Sequence, residues 1–165
     1  MNNIAIQLIT MFGIGRISKI PGTIASFVTC LFYFLCIIFN VNIIFLLITF
    51  FIILILSIIF INKYSSNFTE IDAKEIVIDE FLGQSIPILF VYYPIEKNDP
   101  ESAWIILLTF FILFRFFDIL KPFPINLVDK KMKNGFGVVL DDLLAGIYVI
   151  IAFALFGHFF GPPFE

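Results

Sequence analysis

The sequence predicts an all-α, polytopic integral membrane protein of about five transmembrane helices, with a polar site at the cytoplasmic membrane interface. Three observations carry this expectation. The 165 residues are 61% hydrophobic and only 14% charged, and the mean hydropathy is +1.06; a soluble domain is nearer half apolar and a quarter charged. The apolar residues gather into runs close to the roughly 20 residues that cross the hydrocarbon of a bilayer. The breaks between runs are short and rich in Pro, Gly, Asn and charge, the residues of turns and helix ends. Residues 1–165 read as a single membrane-embedded domain, the usual economy for a chain of this length.

Taken in order, Asn3 to Phe12 is apolar but short, which suits an interfacial helix. Arg16 and Lys19 precede Pro21-Gly22-Thr23, and a proline near the first turn is a helix-start signal. Ile24 to Phe39 makes a first, rather short span, Asn40 to Asn42 a tight turn, and Ile43 to Ile61 the second span of a hairpin. Asn62 to Glu75 is polar, with Lys63, Glu70, Asp72, Lys74 and Glu75. Ile76 to Tyr93 is the third span, with Asp79 and Glu80 near its beginning and Pro87 as an expected kink. An acidic loop from Pro94 to Ser102 leads to the fourth span, Ala103 to Leu120, which holds Arg115 and Asp118. Pro122 and Pro124 stop that helix, and the loop to Asn134 carries Lys121, Lys130, Lys131 and Lys133. Gly135 to Phe160 is the fifth span, with Asp141 and Asp142 near its start.

Cationic loops stay in the cytoplasm. With the N-terminus inside, eight of the ten Lys and Arg residues fall on the cytoplasmic side: Arg16, Lys19, Lys63, Lys74, Lys121, Lys130, Lys131 and Lys133. Lys97 falls outside, and Arg115 lies within a span. The net charge of −3 gives no electrostatic footprint for nucleic acid. Cys30 and Cys36 sit in an apolar run without other ligand types, as packed thiols do. The N-terminus has no small-residue cleavage site after a short apolar core.

This topology gathers the isolated charges. Asp79 and Glu80 begin the third span, Arg115 and Asp118 end the fourth, and Asp141 and Asp142 lie two turns into the fifth. At about 1.5 Å rise per residue, these positions differ by only several ångströms in depth. Arg115 and Asp118, three residues apart, share a helix face. Gly83, Ala145 and Gly146 lie one turn beyond the acidic pairs, and such small residues let helices or a ligand approach closely. Acidic residues in first turns also suit the helix dipole, so each pair alone has a purely structural reading. Their convergence at one depth favours a site, because charge near hydrocarbon is costly.

Five carboxylates, Asp79, Glu80, Asp118, Asp141 and Asp142, face two cations, Arg115 and Lys121. An excess of this kind calls for shifted protonation or a divalent metal, and an all-carboxylate set favours Mg²⁺ over zinc. Arg115 and Lys121 suit a phosphate, so the parts fit metal-assisted hydrolysis of a phosphate ester on a phospholipid. On this reading Asp79, Glu80, Asp141 and Asp142 ligate Mg²⁺, with Asp118 as a further ligand or as the base. Asp118, Arg115 and Asp141 are the catalytic set. Arg115 grips the leaving phosphate, Lys121 selects the headgroup, and the helix start at Pro21-Gly22-Thr23, where Pro21 itself has no N–H, offers the backbone N–H groups that follow the proline to substrate. His158 lies near the opposite face, and no serine has a histidine partner, which excludes phosphohistidine and triad chemistry. A small cation transporter is the contrasting reading, but its pathway would need polar groups through the whole membrane depth. A structural subunit would tolerate alanine at every acidic position.

Four blocks carry a family resemblance: IPGTIAS from Ile20, VIDEFLGQ from Val77, FRFFDILKPFPI from Phe114 and GFGVVLDDLLAG from Gly135. In order and spacing they resemble phosphatidylglycerophosphatase A over nearly the whole chain. The resemblance implies a bacterial inner-membrane lipid phosphatase, Mg²⁺-dependent, that converts phosphatidylglycerophosphate to phosphatidylglycerol and inorganic phosphate. The sequence departs from the family mainly in its short N-terminus.

Overall fold

A computed structural model describes residues 4–17, 19–64, 73–96 and 100–160. Lys97, expected on the outer side, and Glu70 and Asp72 of the polar loop lie outside these residues. The described residues form seven α-helices and no strand. They are α1 (Ile4–Ile9), α2 (Pro21–Ile38), α3 (Ile43–Tyr64), α4 (Ile78–Glu96), α5 (Pro100–Leu120), α6 (Ile125–Lys131) and α7 (Gly135–Phe160), with a short 3-10 turn at Ile14–Arg16. Four of them, α2, α3, α5 and α7, are long and apolar enough to cross a membrane.

The helix ends follow from local chemistry. α2 begins at Pro21, three residues before the expected span, because the fixed φ of proline suits a first helical turn. The hairpin turn to α3 closes through the Val41 N–H donating to the Cys36 carbonyl at 2.9 Å. Asn42 Oδ1 then accepts from the Ile44 N–H at 2.8 Å, which satisfies one of the open donors at the start of α3. Several hydroxyls inside the apolar helices turn back on their own backbone, while the buried Ser57 hydroxyl of α3 has no partner among the described residues. Ser26 donates to the Gly22 carbonyl at 2.9 Å and Thr29 to the Ala25 carbonyl at 2.8 Å, as buried hydroxyls can.

The fifth long helix, α4, is the hub. It touches α2, α3, α5 and α7, and between Ile78 and Tyr92 only Phe90 is exposed. It runs unbroken through Pro87. Being enclosed, α4 can carry Asp79, Glu80 and Gln84 where a lipid-facing helix could not. α3 is its opposite: Ile44, Phe45, Ile48, Phe51, Ile52, Ile55 and Ile59 are all at least half exposed. An apolar face of that extent marks contact with lipid. Inside, Tyr33, Leu82, Ile88, Leu107, Phe110 and Phe114 are almost fully buried, and Phe110 meets Phe153 of α7 edge to face at 4.8 Å between ring centroids.

The start of α4, the ends of α3 and α5, and the starts of α2 and α7 lie at one end of the bundle. The Gly135 N–H donates to Asn62 Oδ1 at 2.7 Å, joining the start of α7 to the last turns of α3. The Val77 N–H donates to the Ile9 carbonyl at 3.0 Å, holding α1 beneath α4. At the other end, the Tyr92 hydroxyl donates to the Val41 carbonyl at 3.0 Å.

Candidate active site

The site is built where α4 and α7 cross. Asn134 caps α7, its Oδ1 accepting from the Gly137 N–H at 2.8 Å, so Asp141 and Asp142 come two turns in. The helices then meet without side chains between them. A Cβ on Gly83 would lie 2.6 Å from the Asp142 carbonyl oxygen, and one on Gly146 would overlap the Gly83 carbonyl. This closeness brings Asp142 against Asp79 and Glu80. One carboxylate oxygen from each of the three lies within 4.8 Å of the others, and Asp79 and Asp142 are only 6% and 4% exposed. Glu80 Oε2 is buried and has no hydrogen-bond partner among the described residues.

The α5 pair lies alongside. Arg115 Nη1 is 2.7 Å from Asp118 Oδ2, a contact of charges outside hydrogen-bond geometry. Nε and Nη1 of Arg115 are buried with no hydrogen-bond acceptor among the described residues. Asp118 in turn neighbours Asp142. The start of α2 closes the third side: a Cβ on Gly22 would overlap the Glu80 carboxylate and lie 3.2 Å from Arg115 Nη1. Pro21 and Gly22 are buried there, and Thr23 is half-buried one residue on.

Lys121 and Asp141 form a second group. Lys121 is left-handed, with φ 43°, an unusual conformation for a residue with a side chain. It ends α5 and aims Nζ at Asp129 Oδ1, 2.8 Å away, and Asp141 Oδ2, 2.7 Å away. Burial alone would lower the Lys121 pKa, but the hydrogen bonds and charges of the two carboxylates outweigh it and raise it. The Lys121 hydrogen bond in turn holds Asp129 below the usual carboxylate range. Asp141 thus turns toward Lys121, while Asp79, Glu80 and Asp142 form the tight trio, with Asp118 beside it and facing Arg115.

Two residues at this end were not singled out from the sequence. Asp129 sits in a cationic stretch and is placed by α6, a short helix inside what reads as a loop. A lone acid among lysines was its only signal. Gln84, one turn along α4 from Glu80, is fully buried, and neither of its amide atoms has a hydrogen-bond partner among the described residues. A glutamine in an otherwise apolar run was its signal.

Three carboxylates this close repel one another, and Arg115 is the neighbouring cation. The donor set is all oxygen, compact and mostly buried, with an unpartnered oxygen on Glu80. It fits a hard divalent cation such as Mg²⁺. An apolar groove of about 490 Å³ between α5 and α7, lined by Ile105, Leu113, Phe153 and Phe156 among others, contains no acidic residue and belongs to the lipid-facing surface.

A family model described as Phosphatidylglycerophosphatase A matches residues 7–157. The phosphatidylglycerophosphatase A of Haemophilus influenzae is 41% identical over 146 residues, covering 87% of this chain and 83% of its own length. A Bacteroides thetaiotaomicron protein, provisionally named a phosphatidylinositol-3-phosphatase, is 34% identical over 150 residues, covering 88% and 89%. The phosphatidylglycerophosphatase A of Escherichia coli K12 is 26% identical over 147 residues, covering 89% and 80%. No solved structure matches the chain significantly.

Proposed function

The chain belongs to the phosphatidylglycerophosphatase A family, and from that premise we infer that it removes the terminal phosphate of phosphatidylglycerophosphate, leaving phosphatidylglycerol and inorganic phosphate. The observation that carries the chemistry is the carboxylate trio of Asp79, Glu80 and Asp142 beside Arg115, whose buried Nε and Nη1 have no acceptor among the described residues.

In this reading the trio holds Mg²⁺, which when bound supplies positive charge against the phosphate oxygens. Arg115 receives two oxygens of the terminal phosphate on its planar fork. Phosphoryl transfer spreads negative charge over those oxygens, so a fixed guanidinium stabilises the transition state more than the ground state. Asp118 Oδ2 orients Arg115, and Asp118 Oδ1 takes a proton from the attacking water. As the water oxygen bonds to phosphorus and the ester bond breaks, the leaving glycerol oxygen takes a proton from solvent water at the open rim, and Asp118 returns its own proton to solvent. Asp141 does not join the trio in this reading: it and Asp129 hold Lys121, fixing α6 to α7 at the mouth of the site. In this reading the site faces the cytoplasm from the bacterial inner membrane, a placement supported by the Lys and Arg of the loops beside it.

Phosphate release by the purified full-length chain in mixed micelles tests this. Turnover of phosphatidylglycerophosphate should require Mg²⁺ and stop in chelator. Arg115→Lys, which keeps charge but loses the fork, should lose about 10²-fold in turnover, the scale of removing one preorganised donor. A parent that preferred a phosphatidylinositol phosphate, the class named for the Bacteroides relative, would overturn the substrate assignment. Parent-like turnover in Arg115→Lys would remove the phosphate clamp.

A further inference from the structure

Three cations take no part in the chemistry above, and they share one cleft. Arg16, Lys19 and Lys74 line a space of about 490 Å³ together with Gly15, Pro21 and Glu75. Among the described residues the lining carries Arg16, Lys19 and Lys74 against Glu75, a balance that suits an anion.

The cleft has fixed walls. Gly15 is packed so tightly on the backbone of Glu75 that a Cβ would overlap the Glu75 carbonyl. The Val77 N–H donates to the Ile9 carbonyl at 3.0 Å, and the Ile76 N–H to the Ala73 carbonyl at 2.8 Å. These contacts hold the 3-10 turn carrying Arg16 against the segment carrying Lys74. The cleft also shares a wall with the carboxylate site: Pro21 lines the cleft, while the adjoining Gly22 presses on Glu80 and Arg115. Around it Phe12, Ile17 and Ile20 are 86%, 80% and 59% exposed. Apolar side chains beside cations at the rim of a membrane bundle are the pattern of an interfacial segment. They set the cleft at headgroup depth.

We propose that this cleft binds the phosphodiester of the lipid substrate, so that the start of α2 separates a diester pocket from the site that takes the terminal monoester. The inference rests on the phosphatase reading above, in which the substrate carries two phosphates joined by a three-carbon glycerol. Lys121, expected from the sequence to meet the diester, is already held by Asp129 and Asp141. Arg16, Lys19 and Lys74 supply that charge across the start of α2 from the phosphate clamp. An anionic diester held there leaves its monoester beside Arg115, so the cleft sets headgroup specificity as well as affinity.

The test separates this inference from the activity itself. Detergent-solubilised full-length protein is titrated with dihexanoyl phosphatidylglycerol, which has the diester and lacks the monoester, and separately with inorganic phosphate. The parent should bind the short-chain lipid, and Lys19→Ala/Lys74→Ala should bind it at least tenfold more weakly, with Lys19→Arg/Lys74→Arg restoring affinity. KM for phosphatidylglycerophosphate should rise in step. Equal lipid binding by parent and alanine variant overturns the inference, whatever the activity. A loss seen with inorganic phosphate but not with the lipid also overturns it, since the cleft would then serve a free anion. If the parent hydrolyses no phosphatidylglycerophosphate yet the lipid-binding difference stands, the phosphatase reading fails and the diester cleft survives.

Discussion

Residue by residue, the site pairs groups whose charges conflict with groups left short of partners. Asp79, Glu80 and Asp142 crowd within 4.8 Å, which is unfavourable for like charges unless a cation or proton intervenes. Asp142→Asn keeps the shape and removes one charge, so it should abolish turnover without lowering the melting temperature in the absence of metal. The parent should gain stability from Mg²⁺, by about 2.7 kcal/mol at a hundredfold excess over Kd, and the variant should gain little. Thermal melts with and without Mg²⁺ check this; an equal metal-induced shift in both proteins would exclude Asp142 as a ligand. Gln84 presents the opposite case, a fully buried amide without a partner among the described residues. Leaving such a group unsatisfied costs about 1–3 kcal/mol. Gln84→Met should therefore raise stability while lowering turnover, if the amide is kept for water or substrate. A stabilised variant with full activity would make Gln84 a packing residue only.

The helices themselves were legible in the sequence, because each apolar run is long and each break carries a turn or cap residue. The start at Ile43 and both ends of the last helix, Gly135 and Phe160, appear where the sequence puts them, while α3 runs three residues past the expected Ile61. The common depth of the charges was legible too, since rise per residue is fixed. Which carboxylate faces which partner was not, because that depends on helix rotation and on backbone turns. A left-handed Lys121 and the short α6 decide that Asp141 faces a lysine while its neighbour Asp142 joins the trio. No periodicity announces either feature. The α4–α7 crossing has its own test. At Gly83 an added Cβ meets backbone, 2.6 Å from the Asp142 carbonyl oxygen and 2.9 Å from its carbon, so α7 itself must move. Gly83→Ala should cost about 1–3 kcal/mol, as overpacking does. It should also weaken Mg²⁺ binding, because Asp142 travels with α7 while Asp79 and Glu80 stay. A destabilised variant with parent-like metal affinity would show that the trio does not depend on this contact.

Across the whole molecule the arrangement is polarised. One end of the bundle holds the carboxylate trio, the cationic cleft and the lysines of α6, and the flanks are apolar and exposed on α3. The interior between the two ends holds Gln84 and a few hydroxyls, most of them bonded to their own helices, with no chain of charges across the depth among the described residues. A transport path needs such a chain, and a one-sided enzyme does not. The proposed orientation rests on the cost of moving cations. Eight of the ten Lys and Arg residues flank the spans at the end that bears the site, and a ninth, Arg115, is part of the site; loops of that composition are retained on the cytoplasmic side. Single cysteines test this against a quiet background, since Cys30 and Cys36 are 0% and 7% exposed. Lys131→Cys, on exposed α6, should react with an impermeant maleimide only after the membrane is opened, and Asn40→Cys, in the exposed α2–α3 turn, in intact cells. The reverse pattern would turn the carboxylates and the cationic cleft outward, and the phosphatase would have to meet its lipid on the outer leaflet.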